Sequence, residues 1–230
     1  MLLRADALLS RYGYCSRREA REWLRQERVR LDADRIANPA DKVDPEKVLI
    51  DGAPVEYPEG LFVKVHKPVG YVCSHDAAEG PSVYDLLPRQ WMRRNPIPTA
   101  VGRLDKDTTG LVLVTDDHRL VHRLISPKNK IPKVYRVTLD RQPESTVVEQ
   151  FATGTLLLNG EKTPCLPAAV TDISGTVCRV TLYEGRYHQV KRMFAACGYH
   201  VTALHRIRIG TWEIGELEEG KWEMVEADFG

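Results

Sequence analysis

Apolar positions near the start of the chain recur at helical spacing. Ala20, Trp23 and Leu24 mark one side of a segment whose other side carries most of Arg17, Arg18, Arg21, Arg25 and Arg28. Ser16 followed by Glu19 has the spacing of a capping box, so a helix is predicted over Arg17 to Gln26. A shorter helix is predicted from Arg4 to Arg11, with Gly13 stopping it. Strands at Val29–Leu31 and Lys47–Ile50 follow, and Asp51-Gly52 with Pro54 supply turn chemistry. Glu56-Tyr57-Pro58-Glu59-Gly60 reads as a linker. Beyond it the pattern turns to strands, beginning with Leu61–Val65. Lys133–Leu139 and Val177–Tyr183 alternate with period two. Helices are predicted at Val147–Thr153 and His188–Cys197, the latter with Gly198 near its end. Helices and strands do not alternate regularly. The predicted class is therefore α+β, with a mixed, largely antiparallel sheet flanked by helices. The predicted division is residues 1–58 and residues 59–230.

Composition narrows the partners. Of 230 residues 43% are hydrophobic, enough for a sizeable core, and the net charge is only +1. Affinity for nucleic acid must then come from local patches, and the arginine-rich start is one. Its arginines suit a phosphate backbone, but Glu19, Glu22 and Glu27 could equally pair with them along the helix. Cys15, Cys73, Cys165, Cys178 and Cys197 form no C-x-x-C pair, so neither a disulfide framework nor a zinc site is expected, and a reducing cytoplasm is. His118 and His122 share a helix face without nearby carboxylates at ligand spacing, which is weak grounds for a metal. The start, Met1 to Asp6, is charged too early for a signal peptide, and no apolar run approaches a membrane span.

Gly102-Arg103-Leu104-Asp105-Lys106-Asp107-Thr108-Thr109-Gly110-Leu111 carries the least expected chemistry. Four charges precede the apolar run Leu111–Val114. Desolvating charge is costly, so such crowding is rare unless it is paired or used. Asp107, Thr108 and Thr109 are expected to bond local backbone and shape the turn. Asp105 and Asp107 lie two apart and would share a face in a strand, which leaves open a glycosidase-like acid pair. Tyr135, judged by its strand position alone, reads as a core tyrosine.

Three stretches, Gly102–Leu111, Lys133-Val134-Tyr135 and Glu184–Met193, together resemble the RsuA family of RNA pseudouridine synthases. His66–Ser74, Pro81–Leu87 and Leu204–Gly210 are similar to that family as well. The segment from Arg4–Leu9 through Ser16–Ala20 to Asp51-Gly52 resembles an S4 RNA-binding domain. Ala5 stands there in place of the usual Leu, and Asp32-Ala33-Asp34 in place of the usual turn. The resemblance implies an S4 domain followed by a pseudouridine synthase domain that isomerises uridine in ribosomal RNA. Asp105 is then the nucleophile. Tyr135 stacks on the uracil and relays a proton. Lys191, where related families carry Arg, is the ion-pair partner. Arg103 contacts phosphate or fills the space left by the extruded uridine. Lys133, Arg186, His188, Gln189 and Arg192 are placed around the bound RNA, with Arg17, Arg18 and Arg21 in the S4 module. The reaction gains no atom and changes no oxidation state, so no metal or organic cofactor is required. Tyr71–Ser74 and Tyr84–Leu87 are similar to family members acting on the small subunit, which implies uridine 516 of 16S rRNA as the target. A 23S rRNA target and an inactive S4-type RNA-binding protein are the alternatives. The expected protein is a cytoplasmic monomer.

Overall fold

The computed structural model describes residues 1–32 and 34–227. It divides into two compact units. The first takes in Met1–Leu61 together with Leu87–Thr99 and Thr115–His118; the second takes in Phe62–Leu86, Ala100–Val114 and the chain from Arg119 onward.

In the first unit, helix α1 (Ala5–Arg11) and helix α2 (Ala20–Arg25) bury Leu8, Leu9, Ala20 and Leu24 against Val29, Val48 and Ile50. Burying a leucine side chain fully is worth about 1.5–3 kcal/mol, so this small cluster carries the unit. Helix α2 starts later than the predicted Arg17. Glu19 N donates to the Ser16 carbonyl at 3.1 Å, while the Glu19 carboxylate accepts from Ser16 N and Oγ. The capping box is therefore present, but it closes a tight turn ahead of the helix. Gly13 follows α1 at φ 78°, and a Cβ there would lie 2.7 Å from the Gln90 carbonyl oxygen. Only glycine fits that approach. Strands β1 (Val29–Leu31), β2 (Asp34–Arg35), β3 (Val48–Ile50) and β4 (Ala53–Pro54) form a sheet in the order β2-β1-β3-β4. The turn read at Asp32-Ala33-Asp34 includes Ala33, which lies outside the described residues.

The segment Glu56–Gly60 is not a free linker. Tyr12 Oη donates to Pro58 O at 2.6 Å, and Arg94 donates to Glu56 O and Tyr57 O. The buried Arg94 is itself paired with Asp116 at 2.9 Å, and Asp116 accepts from Leu61 N. With Tyr14 Oη accepting from Glu56 N, three side chains distant in sequence satisfy this backbone, so it is fixed.

The second unit is built on a nine-stranded sheet. Its strands are β5 (Phe62–Lys67), β6 (Thr99–Val101), β7 (Thr109–Thr115), β8 (Lys133–Leu139), β9 (Ala169–Ser174), β10 (Val177–Leu182), β11 (Val201–Ile209), β12 (Trp212–Glu213) and β13 (Trp222–Met224). The main path runs β9-β10-β8-β11-β7-β5-β13, with β6 beside β7 and β12 beside β11. β8 lies antiparallel to both β10 and β11, whereas β11 pairs with β7 in parallel. The predicted mixed, largely antiparallel sheet is thus observed. Leu111 and Leu113 on β7 pack with Phe62, Ile209, Trp212 and with Leu120 and Leu124 of helix α3 (His118–Ile125). Val112 and Val114 are equally buried on the opposite side. Burial on both faces explains why β7 is a continuous apolar run rather than an alternating one. Helix α4 (Ser145–Thr153) and helix α5 (Gln189–Ala196) match the two helices predicted beyond residue 140.

Candidate active site

The loop between β6 and β7, residues 102–108, carries Asp105. Two buried cations hold it from below. Lys67, 0% exposed, donates to Thr108 O at 2.7 Å and to Pro68 O at 2.9 Å. Arg206, 1% exposed, donates through Nε to Leu111 O at 2.8 Å and through Nη2 to Gly102 O at 3.2 Å. Among the described residues neither cation has a carboxylate within ion-pair distance. Burial pushes the Lys67 pKa down, opposed by the negative charge of Cys73, Asp107 and Asp105. Buried charge without a paired carboxylate is expensive, and the hydrogen bonds to these carbonyls offset part of that cost. At Gly110, φ 106°, an added Cβ would overlap the Arg206 carbonyl, so glycine is required where β7 meets β11.

Asp105, its side chain 28% exposed, meets a cation on one oxygen and an imidazole on the other. Lys191 Nζ donates to Oδ2 at 3.2 Å, and His188 Nε2 lies 3.3 Å from Oδ1. Both partners come from the start of α5. His188 stands at the N-cap of that helix in a left-handed conformation, φ 47°, uncommon for a residue other than glycine. Lys191 also donates to Asp107 Oδ1 at 2.6 Å. Burial works against the Lys191 charge, but the hydrogen bonds it donates to Asp107 and Asp105 outweigh it and raise the pKa. The same bond holds Asp107 below the usual carboxylate range.

Asp107 therefore has Lys191 as its principal partner and also accepts from its own backbone N–H, in keeping with the local bonding expected of it. Thr109 Oγ1 bonds His205 Nδ1 at 2.8 Å, and Thr108 Oγ1 is buried with no hydrogen-bond partner. The strand in which Asp105 and Asp107 would share a face begins only at Thr109, so the acid-pair reading lacks its geometry.

Tyr135 stands across from Arg206 on β11, and Arg206 stands beside Gly110 on β7. Directly opposed residues share a sheet face. Arg206 reaches Gly102 O from that face, so Tyr135 lies on the side of the sheet that carries the Asp105 loop. The register of β8 against β11 shifts between Val134 and Tyr135, a bulge of the kind that re-aims a side chain beside a site. Tyr135 is 8% exposed, and no described residue bonds its hydroxyl.

Other residues expected at the RNA are engaged elsewhere. Lys133 is buried and donates to Ile131 O at 3.1 Å. Burial, helped by Arg206, pushes its pKa down to about 8. Arg186 donates to Thr163 O at 2.7 Å, to Pro164 O and to Glu184. Arg192 donates to Asn159 O at 2.6 Å, to Glu161 and to Tyr187 O. Gln189 joins this network through Glu184 and through the Arg186 amide. These groups clamp the loop that enters α5. Arg103, by contrast, is exposed without an ion pair among the described residues, as are Arg17, Arg18 and Arg21. The neighbouring Arg25 and Arg28 are paired with Glu22 and Asp51. Lys67, Arg206 and Glu184 were not singled out from the sequence. Lys67 closes an apolar strand and Arg206 sits inside an alternating one, positions that periodicity alone does not set apart.

Residues 62–196 match the family described as RNA pseudouridylate synthase, and residues 3–49 match the S4 domain. The chain is 44% identical over 212 residues to the ribosomal small subunit pseudouridine synthase A of Escherichia coli, covering 90% of this chain and 89% of the relative. It is 38% identical to the protein of the same name from Pasteurella multocida, covering 98% and 97%. A solved structure described as a pseudouridylate synthase superposes with a TM-score of 0.68 at 36% identity, over 97% of this chain and 96% of the other.

Proposed function

The chain belongs to the RNA pseudouridine synthases, and from that premise we propose that it converts one uridine of small-subunit ribosomal RNA to pseudouridine, with Asp105 as nucleophile. The target we assign is uridine 516 of 16S rRNA, in keeping with the small-subunit name of the relatives. The reading includes a cytoplasmic enzyme acting as a monomer. Residues 1–58 form its RNA-binding module and residues 59–230 its catalytic part.

The observation that carries the proposal is the Asp105 carboxylate, partly exposed and held between Lys191 and His188 on a loop fixed by two buried cations. The chemistry begins with extrusion of the uridine from its stack, at a cost of a few kcal/mol. Asp105 attacks C1′, or assists departure through a glycal; both routes break the N1–C1′ bond. The uracil turns, and C5 bonds to C1′. The proton lost from C5 is matched by one gained at N1, so the product is an isomer. Tyr135, on the face of the loop with a free hydroxyl, stacks on the uracil and relays the proton leaving C5, passing on its own phenol proton as it accepts that one. Lys191 stabilises the carboxylate when it leaves the sugar. Arg103 enters the gap vacated by the uridine, and Arg17, Arg18 and Arg21 meet phosphates.

Mapping pseudouridines in ribosomal RNA from cells lacking this protein tests the reading. Loss of one modification at uridine 516 of 16S rRNA is expected. Loss in 23S rRNA instead would move the target, and no loss in any ribosomal RNA would end the assignment.

A further inference from the structure

We propose that the outward face of Tyr187 is a stacking platform for a nucleobase flanking the target uridine; this rests on the pseudouridine synthase reading above. Tyr187 is 74% exposed, a level at which an aromatic ring is ordinarily loose on the surface. Here it is not. Its ring lies on the His188 imidazole, with centroids 3.8 Å apart and planes 20° from parallel. His188 in turn reaches Asp105 Oδ1 at 3.3 Å. A continuous line of contacts thus runs from the proposed nucleophile to an open aromatic face.

The backbone around the ring is unusually constrained. Tyr187 O accepts from Arg192 at 3.1 Å. Arg192 is tied to Asn159 O and Glu161. On the other side, Arg186 N donates to Gln189 Oε1, and its guanidinium is tied to Thr163 O, Pro164 O and Glu184. Two arginines that would suit phosphate are thereby committed to fixing one short loop. What the loop presents to solvent is Tyr187. One ring face is covered by His188 and the other is open. The phenol hydroxyl has no partner among the described residues.

The chemistry of the occupant follows from these features. When a uridine leaves its stack, the base beside it loses a neighbour. A rigid, flat ring beside the nucleophile replaces that neighbour without reading sequence, because every base has a π-face. The ring is what matters in this role and the hydroxyl is not.

The test uses the RNA fragment spanning the uridine that the wild-type protein modifies, with 2-aminopurine placed beside that uridine. Wild-type protein should quench the fluorophore on binding. Tyr187→Ala should lose the quenching and raise KM about tenfold, the loss falling on KM rather than kcat. Tyr187→Phe and Tyr187→Trp should restore both. Wild-type quenching and KM in the Ala variant would overturn the proposal. So would a Phe variant as impaired as Ala, or an Ala defect confined to kcat or matched by a lowered Tm. Failure of the wild-type protein to form pseudouridine in any ribosomal RNA would instead overturn the functional reading itself.

Discussion

The Lys191 ammonium lies 3.2 Å from Asp105 Oδ2, yet its shorter bond, 2.6 Å, goes to Asp107. Asp107 is 71% exposed, so its share of the pairing is well screened by water. Asp107 thus tethers the ammonium beside the carboxylate proposed as nucleophile. Lys191→Met should lower kcat by about 10²–10³, the scale of losing one electrostatic partner at a reacting group. Asp107→Asn keeps the shape and should lower kcat by less than about tenfold. Single-turnover pseudouridine formation at saturating RNA measures both.

The exposed arginines at the head of the first unit separate into paired and unpaired sets. Arg17, Arg18 and Arg21 lack ion pairs among the described residues, while Arg25 and Arg28 have them. Replacing the three unpaired residues with Ala should weaken RNA binding and flatten its salt dependence by about 2–3 units of log–log slope. Replacing Arg25 and Arg28 should change the slope less. Filter-binding titrations across salt concentrations distinguish the two.

Lys67 is buried, and its ammonium serves backbone carbonyls of the Asp105 loop. Lys67→Met removes a costly buried charge but orphans those carbonyls, each worth about 1–3 kcal/mol when left unsatisfied. The carbonyls outnumber the charge, so a net loss of about 1–3 kcal/mol in urea unfolding is expected. Activity should fall more than tenfold under conditions where the variant remains folded, because the loop loses its anchor.

Much of this was legible in the sequence, and the rest has physical reasons for being hidden. Strand Lys133–Leu139 alternates from Tyr135 onward and sits where predicted. The charge cluster Arg103–Asp107 announced a site because unpaired charge beside a buried strand is costly. What periodicity could not show is which cations are committed inside the protein. Arg186 and Arg192 look like phosphate ligands in a basic string, but their partners are carbonyls at Thr163, Pro164 and Asn159, more than twenty residues away. Arg206 and Lys67 look like ordinary strand positions until the parallel pairing of β11 with β7 brings Arg206 beside Gly110. The role of Glu56–Gly60 was hidden for the same reason. Its turn-like composition is local, whereas Arg94 and Tyr12, which fix it, are not.

Lys133 makes stability depend on pH. Its folded pKa, about 8, lies below the ordinary 10.5. Between those values the unfolded chain binds more protons, so this group adds stability as pH rises from about 8 to 10.5 and its penalty is fully present below about 8. The penalty is about 3 kcal/mol, less about 1 kcal/mol for the carbonyl that Lys133 serves. Lys133→Met should therefore stabilise the protein by about 2 kcal/mol at pH 7. The advantage should be gone above pH 10.5, which unfolding curves across the pH range would reveal.

The central claim is that the Asp105 carboxylate acts at the sugar of the extruded uridine, by attack on C1′ or through a glycal, to break the N1–C1′ bond. Asp105→Asn keeps the volume of the side chain and removes the nucleophile. Incubated with 16S rRNA, the wild-type protein should form pseudouridine. The variant should bind the RNA yet form none within the same sensitivity, a loss of at least about 10³. Product formation by Asp105→Asn at the wild-type rate would contradict the account.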